Sequence, residues 1–245
     1  MSDNNTLVRI NKYLSEVGVC SRREADRYIL QKRITVNGEI AVPGQKVAES
    51  DIICIDGREI KKSSKEVFLI FNKPRGLVCT TARKENGKKI KNVVDYINYP
   101  ERIYPVGRLD KDSEGLLILT NQGEYLNKIL KSRYGHEKEY IVELDNAISD
   151  VDIKKLENGI HIVDEEKDID VVTKPCKVAR LSDKSINITI TQGINRQIRR
   201  MCASLGYRVL KLKRVRIINI RLGDLKTGEY RVMSEAEVLE LKKRV

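Results

Sequence analysis

Ile10, Tyr13, Leu14 and Val17 recur at the spacing of one helix face, and Gly18 ends the run. A second helix is predicted to start at Ser21, which forms a capping box with Glu24. In that box the serine oxygen accepts from an orphan backbone N–H while the glutamate reaches back, so the helix carrying Arg22, Arg23 and Arg27 begins there. ITVNGEIA then predicts a hairpin turning at Asn37-Gly38, and DIICIDG a second alternating run closing at Asp56-Gly57. The polar stretch KKSSKE at 61–66 has linker composition, which divides the chain into a module over 1–62 and a larger domain over 67–245.

Past the linker, the apolar runs FLIFNKP, RIYPVGRL, LLILT, KEYIVEL, INITI and RVLKLKRVRIINIRL predict strands. Helical spacing appears in KNVVDYI, EYLNKILK, DVDIKKLE, INRQIRRMCASL and EAEVLELKKR, the last opening after Ser234 with Glu237 three residues on. Strands and helices do not alternate regularly, which predicts an α+β domain with a mixed, largely antiparallel sheet flanked by helices. There are no internal repeats and no low-complexity segments.

Composition narrows the functional classes. The 245 residues are 40% apolar, enough for a core, and no window approaches 18 consecutive apolar residues. The opening MSDNNTLVRI lacks the basic-then-apolar pattern of a signal peptide, so the expectation is a cytoplasmic protein that does not enter membranes. A formal charge of +12 favours polyanionic partners. The five cysteines are scattered without a C-x-x-C, so all are read as reduced packing residues. His136 and His161 stand far apart, and no metal site or histidine-dependent hydrolase is suggested. The chemistry is therefore expected to use carboxylates. With 5% aromatics and no Trp, a large stacking platform for single-stranded nucleic acid is not expected.

Two segments stand out. In YPVGRLDKDSEGLLILTNQG at 104–123 a strand enters a Gly-punctuated polar loop, and Arg108 and Asp110 flank Leu109. Positions i and i+2 of extended chain point to one side, so a guanidinium and a carboxylate emerge together, as catalytic groups or as an ordinary structural pair. The run Lys184–Gly223 holds ten Lys or Arg and no Asp or Glu. It places Arg196, Arg199 and Arg200 in a helix start and Arg208, Lys211, Lys213 and Arg214 in a following strand. Such a single-sign field would collect phosphates.

The segment RINKYLSEVGVCSRREADRYILQKRITVNG resembles the S-four-type (alpha-L) RNA-binding module, and the resemblance implies RNA contacts by Arg9, Lys12, Ser21, Arg22, Arg23 and Lys32. Residues 1–62 carry 11 basic against 9 acidic groups, so only the clustering of charge supports binding. FNKPRGLVCT, YPVGRLDKDSEGLLILTNQGEYLNKIL, HEKEYIVELD and QGINRQIRRMCASLGYRVLKLKRVRI resemble the pseudouridine synthases that modify small- and large-subunit rRNA, and DKDSEGL, NKIL, HEKEY and NRQIRRMCASLGY point to a large-subunit branch.

That resemblance implies a catalytic Asp110, with Arg108 filling the gap left by an extruded base, Tyr140 stacked on the uracil, Ile198 packed on it, and Arg199 paired with Asp110. Lys73 and Arg75 would add phosphate contacts, as would Arg196, Arg200, Lys211, Lys213 and Arg214. No cofactor would be needed, because the isomerisation consumes no redox equivalent and no group donor. The implied partner is RNA, namely 23S rRNA or a ribosome assembly intermediate, with a tRNA left open, and the protein would act as a monomer. A non-catalytic RNA-binding or ribosome-assembly factor is the alternative, favoured less because a pure binder has no need of Asp110. A DNA-binding protein fits less well, since no helix-turn-helix or basic-zipper pattern appears.

Overall fold

The Ser21–Glu24 capping box forms: Ser21 Oγ accepts from Glu24 N at 3.1 Å, and Glu24 returns to Ser21 N. In the computed structural model, which describes residues 7–61, 66–85, 87–130 and 135–245, this box opens helix α2 (Arg22–Leu30) after α1 (Ile10–Glu16). Asn37 and Gly38 both take positive φ, 52° and 90°, the conformation a two-residue hairpin turn demands, and they join strands Ile34–Val36 and Glu39–Ile40. Ile53–Ile55 pairs with Ile34–Val36 and turns at Asp56-Gly57 into Arg58–Glu59. Ile10, Leu14, Ala25, Ile29, Ile34 and Ile53 close the core between the helices and this small sheet.

The chain divides into two compact units. One takes the described residues up to Val67 with Tyr99–Tyr104 and Thr120–Gly123; the other takes the rest. Of the expected linker at 61–66, residues 62–65 lie outside the described residues, as do residues 1–6 of the N-terminal segment.

The second unit is built on a sheet whose order is Lys177–Ser182, Ser185–Ile190, Lys138–Leu144, Val209–Ile217, Glu114–Thr120, Phe68–Lys73 and Tyr230–Val232. Tyr104–Val106 and Ile220–Arg221 pair onto Glu114–Thr120 and Val209–Ile217 respectively. Val209–Ile217 runs parallel to Glu114–Thr120 and antiparallel to Lys138–Leu144, so the sheet is mixed and the domain is α+β as expected. Helices α3 (Val93–Ile97), α4 (Gly123–Leu130), α5 (Asp150–Asn158), α6 (Gln197–Ser204) and α7 (Glu235–Lys243) accompany it. Residue 131 of the expected EYLNKILK helix lies outside the described residues.

Several expectations are corrected. The run 208–222 is two strands, because Ile218 adopts a positive φ of 56° and turns the chain back. α6 starts at Gln197 and not at Ile194, since Arg196 is a left-handed N-cap with φ 52°. The hairpin His161–Asp164 with Ile169–Val172 and the edge strand Lys177–Ser182 were not expected. Their outward, mostly polar or exposed residues carry no clean period-two signal.

α7 begins with a second capping box, in which Glu237 accepts from Ser234 N and also takes a two-pronged hydrogen bond, 2.7 Å on each arm, from Arg231. The Arg231 hydrogen bond is the main reason the Glu237 carboxyl is held down to about 2, against an ordinary 4.5. A carboxylate whose pKa is lower in the folded state contributes its full stabilisation above pH 4.5 and loses it as pH falls through 2. Glu237→Gln is therefore expected to lower Tm at neutral pH and to flatten the decline of Tm between pH 4.5 and 2, checked by thermal unfolding across that window.

Candidate active site

A cavity of about 900 Å³ opens in the second unit, at the upper end of the size range for small-ligand sites. Its lining includes Arg108, Asp110, Tyr140, Ile198, Arg196, Lys138 and Arg214. The central strand explains how distant segments meet there. Arg214 lies opposite Gly115 on one side and opposite Tyr140 on the other, just past a register shift between Glu139 and Tyr140. The end of the Asp110 loop and the Tyr140 strand are thereby held on the two flanks of one residue. Gly115 makes the first flank possible: with φ 100°, a Cβ there would stand 2.3 Å from the Arg214 carbonyl oxygen.

The loop itself is tied from below. Lys73 is wholly buried at 0% exposure, and its Nζ donates to the carbonyls of Ser113 at 2.7 Å, Pro74 at 3.1 Å and Asp110 at 3.2 Å. Burial pushes its ammonium below the ordinary lysine range, although Cys79, Asp110 and Asp112 lie close enough to pull it back. Lys73 is therefore not the phosphate contact expected from sequence, because it has no route to solvent. Leu109 is buried and its N–H meets Cys79 Sγ at 3.3 Å, while Arg108 on one side is exposed and Asp110 on the other is partly exposed. The alternation read from sequence thus holds, and both side chains face the cavity.

The arginines are distributed differently from expectation. Arg199 does not line the cavity and has no contact within 4.0 Å of Asp110; it donates to Asp112 O at 3.1 Å, Ser113 Oγ at 3.3 Å and Val209 O at 3.1 Å. Burial pushes its guanidinium below the ordinary arginine value. Arg196 makes the described ion pair with the Asp110 carboxylate, at 3.8 Å, and it forks onto Asp112 at 3.0 and 3.2 Å. Arg196 sits in a left-handed turn, with φ 52°, that its sequence does not signal. Burial raises the Asp112 carboxyl, yet the Arg196 hydrogen bond and the charges of both arginines outweigh it and hold the group ionised.

The basic run 184–223 also finds acidic partners supplied by other elements. Arg200 binds Asp164, Lys211 lies between Glu114 and Glu143 at 3.7 and 3.6 Å, and Arg216 pairs with Glu137 and Glu139. Arg214 is buried at 4%, donates to Leu116 O and leaves one guanidinium nitrogen without a hydrogen-bond partner. Of the expected phosphate contacts in this run, Lys213 is half-buried without a described ion-pair partner. Arg75 is exposed beside the cavity, touching Leu210 O at 3.4 Å.

Lys138 was not singled out in the sequence, although its position two residues before Tyr140 on one strand is a readable signal. It lines the cavity, donates to His136 O at 3.2 Å, and burial followed by the charge of Arg214 pushes its ammonium down. In the N-terminal unit Arg9, Arg22, Arg23 and Lys32 are exposed. Lys12 pairs with Glu16 at 3.5 Å, and Ser21 is occupied as the helix cap. Among the described residues no cluster of three or more His, Cys, Asp or Glu suits a metal ion, and no helix is long and apolar enough to cross a membrane.

Comparison with known proteins meets this geometry directly. The family model for RNA pseudouridylate synthase matches residues 67–204, and the S4 domain model matches 8–53. The chain belongs to the RNA pseudouridylate synthase family. It is 44% identical over 98% of its length to the dual-specificity RNA pseudouridine synthase RluF of Salmonella typhi, covering 81% of that protein. It is 38% identical to the ribosomal large subunit pseudouridine synthase B of Bacillus subtilis, over 96% of this chain and 95% of that one. A crystal structure described as that of a pseudouridylate synthase aligns with a TM-score of 0.68 at 29% identity, over 96% of this chain and 99% of the other. The protein is thus an RNA pseudouridine synthase with an N-terminal S4 domain, and its RluF-named relatives agree with the branch expected from sequence.

Two outcomes follow from the loop's anchorage. Lys73→Met leaves the buried Ser113 carbonyl and the half-buried Pro74 and Asp110 carbonyls without this donor and is expected to cost about 1–3 kcal/mol, read as a lowered urea midpoint at unchanged slope. Asp112→Asn removes the ionic anchor for Arg196 and Arg199, and is expected to slow single-turnover isomerisation by up to about a hundredfold, the scale of a misplaced catalytic group. RNA affinity should change much less, and Asp112→Glu should recover part of the rate.

Proposed function

We propose that Asp110 is the catalytic residue of uridine isomerisation in large-subunit rRNA, with a tRNA as a second substrate. The substrate reading is supported by relatives named as dual-specificity and as large-subunit enzymes. One observation carries the catalytic assignment: a partly exposed carboxylate faces a 900 Å³ cavity on a loop anchored by a buried lysine, with Tyr140 and Ile198 in the same lining.

The reaction breaks the N1–C1′ bond, turns the uracil and forms C5–C1′; the proton on C5 leaves and N1 gains one. An ionised Asp110 serves either as nucleophile at C1′ or as base at C2′. Tyr140 and Ile198 hold the detached base while it turns. Arg108, exposed at the mouth, occupies the stack that the uridine vacates, since its planar guanidinium stacks on bases. Arg196 at 3.8 Å places a positive charge beside the Asp110 carboxylate, where the family resemblance implied Arg199. Residues 1–62 form the RNA-anchoring module through Arg9, Arg22, Arg23 and Lys32, and 67–245 the catalytic domain; the enzyme works as a cytoplasmic monomer.

The test is tritium release from C5-labelled uridine in unmodified large-subunit rRNA, with small-subunit rRNA and tRNA alongside. Asp110→Asn keeps the shape and removes the charge, so release should fall below detection while RNA binding stays within about twofold. Equal loss of binding and release would overturn the catalytic assignment, and binding without release by the unmodified enzyme would make the chain a non-catalytic RNA binder.

A further inference from the structure

Between the buried strand Phe68–Lys73 and α3 the chain makes a short hairpin of Lys84–Glu85 and Lys88–Lys89, turning at Gly87 with φ 76°. Residues 83–91 carry Arg83, Lys84, Lys88, Lys89 and Lys91 against one Glu85. All five cations are exposed. Arg83 bonds Asp95 at 3.2 Å, whereas none of the four lysines makes an ion pair with a described residue.

Two features make this an unusual way to build a surface turn. Lys84 and Lys89 are direct register partners, and like charges placed opposite one another destabilise an antiparallel pair that is marginal alone. The base of the hairpin is nonetheless pinned: Ile90 N donates to Arg83 O at 3.0 Å, Val78 N to Lys91 O at 3.0 Å, and Asn92 Nδ2 to Ala82 O at 3.2 Å. The same segment forms a wall of the Asp110 cavity through Thr80, Ala82, Lys84 and Ile90. A cationic edge is therefore held in a fixed place beside the cavity.

We propose that this hairpin is a backbone clamp whose Lys84, Lys88 and Lys89 bind the phosphates of the nucleotides flanking the uridine delivered to Asp110. The proposal rests on the reading of the cavity as a uridine site. A base inside the cavity remains joined to its strand on both sides, so phosphates must pass the wall at the mouth. Phosphate between the strands also removes the repulsion between Lys84 and Lys89.

The experiment compares the full chain with a triple variant, Lys84→Gln, Lys88→Gln and Lys89→Gln, and with the corresponding triple arginine variant. Affinity for unmodified large-subunit rRNA is measured across a salt series, beside single-turnover tritium release at saturating RNA. Three lost phosphate contacts should make the log–log salt slope shallower by about 2, at about 0.7 per contact on single strands. The arginine variant should keep the original slope, and release at saturating RNA should change less than affinity does. An unchanged slope in the glutamine variant, or a slope that arginine fails to restore, would overturn the clamp. Absence of release by the unmodified enzyme from every RNA would instead sink the isomerase reading, and the salt slopes would still decide whether the hairpin binds RNA backbone.

Discussion

The site depends on one buried charge. Lys73 carries its ammonium out of water, a move that costs several kcal/mol, and three backbone carbonyls offset that cost by accepting its hydrogen bonds. Those carbonyls belong to the strand end at Pro74 and to both ends of the turn from Asp110 to Ser113. The Asp110 loop is therefore fastened through its main chain, which leaves the Asp110 side chain free to face the cavity. Gly115 and Arg214 complete the fixture, since a side chain at 115 would force the parallel strands apart where the loop re-enters the sheet.

A second constraint is the division of labour between two neighbouring carboxylates. Asp112 takes the fork of Arg196 and part of Arg199, while the Asp110 carboxylate makes one ion pair among the described residues, with Arg196 at 3.8 Å. A carboxylate already gripped by a bidentate guanidinium would have its lone pairs committed. The arrangement keeps positive potential beside Asp110 and leaves its oxygens available to a sugar. The same logic runs further, where Glu137, Glu139, Glu143 and Asp164 neutralise Arg200, Lys211 and Arg216, three of the ten cations between Lys184 and Gly223. Exposed cations without a described ion pair include Arg108 at the cavity, Lys84, Lys88, Lys89 and Lys91 in the hairpin segment, and Arg9, Arg22, Arg23 and Lys32 of the S4 domain.

Local physics made much of the protein legible before any coordinates. Capping boxes at Ser21 and Ser234, the Asn37-Gly38 turn and the alternation of Arg108, Leu109 and Asp110 each depend on residues within four positions of one another, and each forms as read. The family was legible too, because its motifs are contiguous. Misreadings arose where the deciding partner is distant. Lys73 and Arg214 look like surface cations until the sheet closes over them, and Arg199 looks like the partner of Asp110 until a left-handed Arg196 takes that place. A basic run free of acid in sequence acquires acid from strands more than 30 residues away. Sequence determined the elements, their caps, the chemistry of the loop and the family. Only the tertiary structure decided which charges are spent on one another, because burial and pairing energies depend on distance in space and not along the chain.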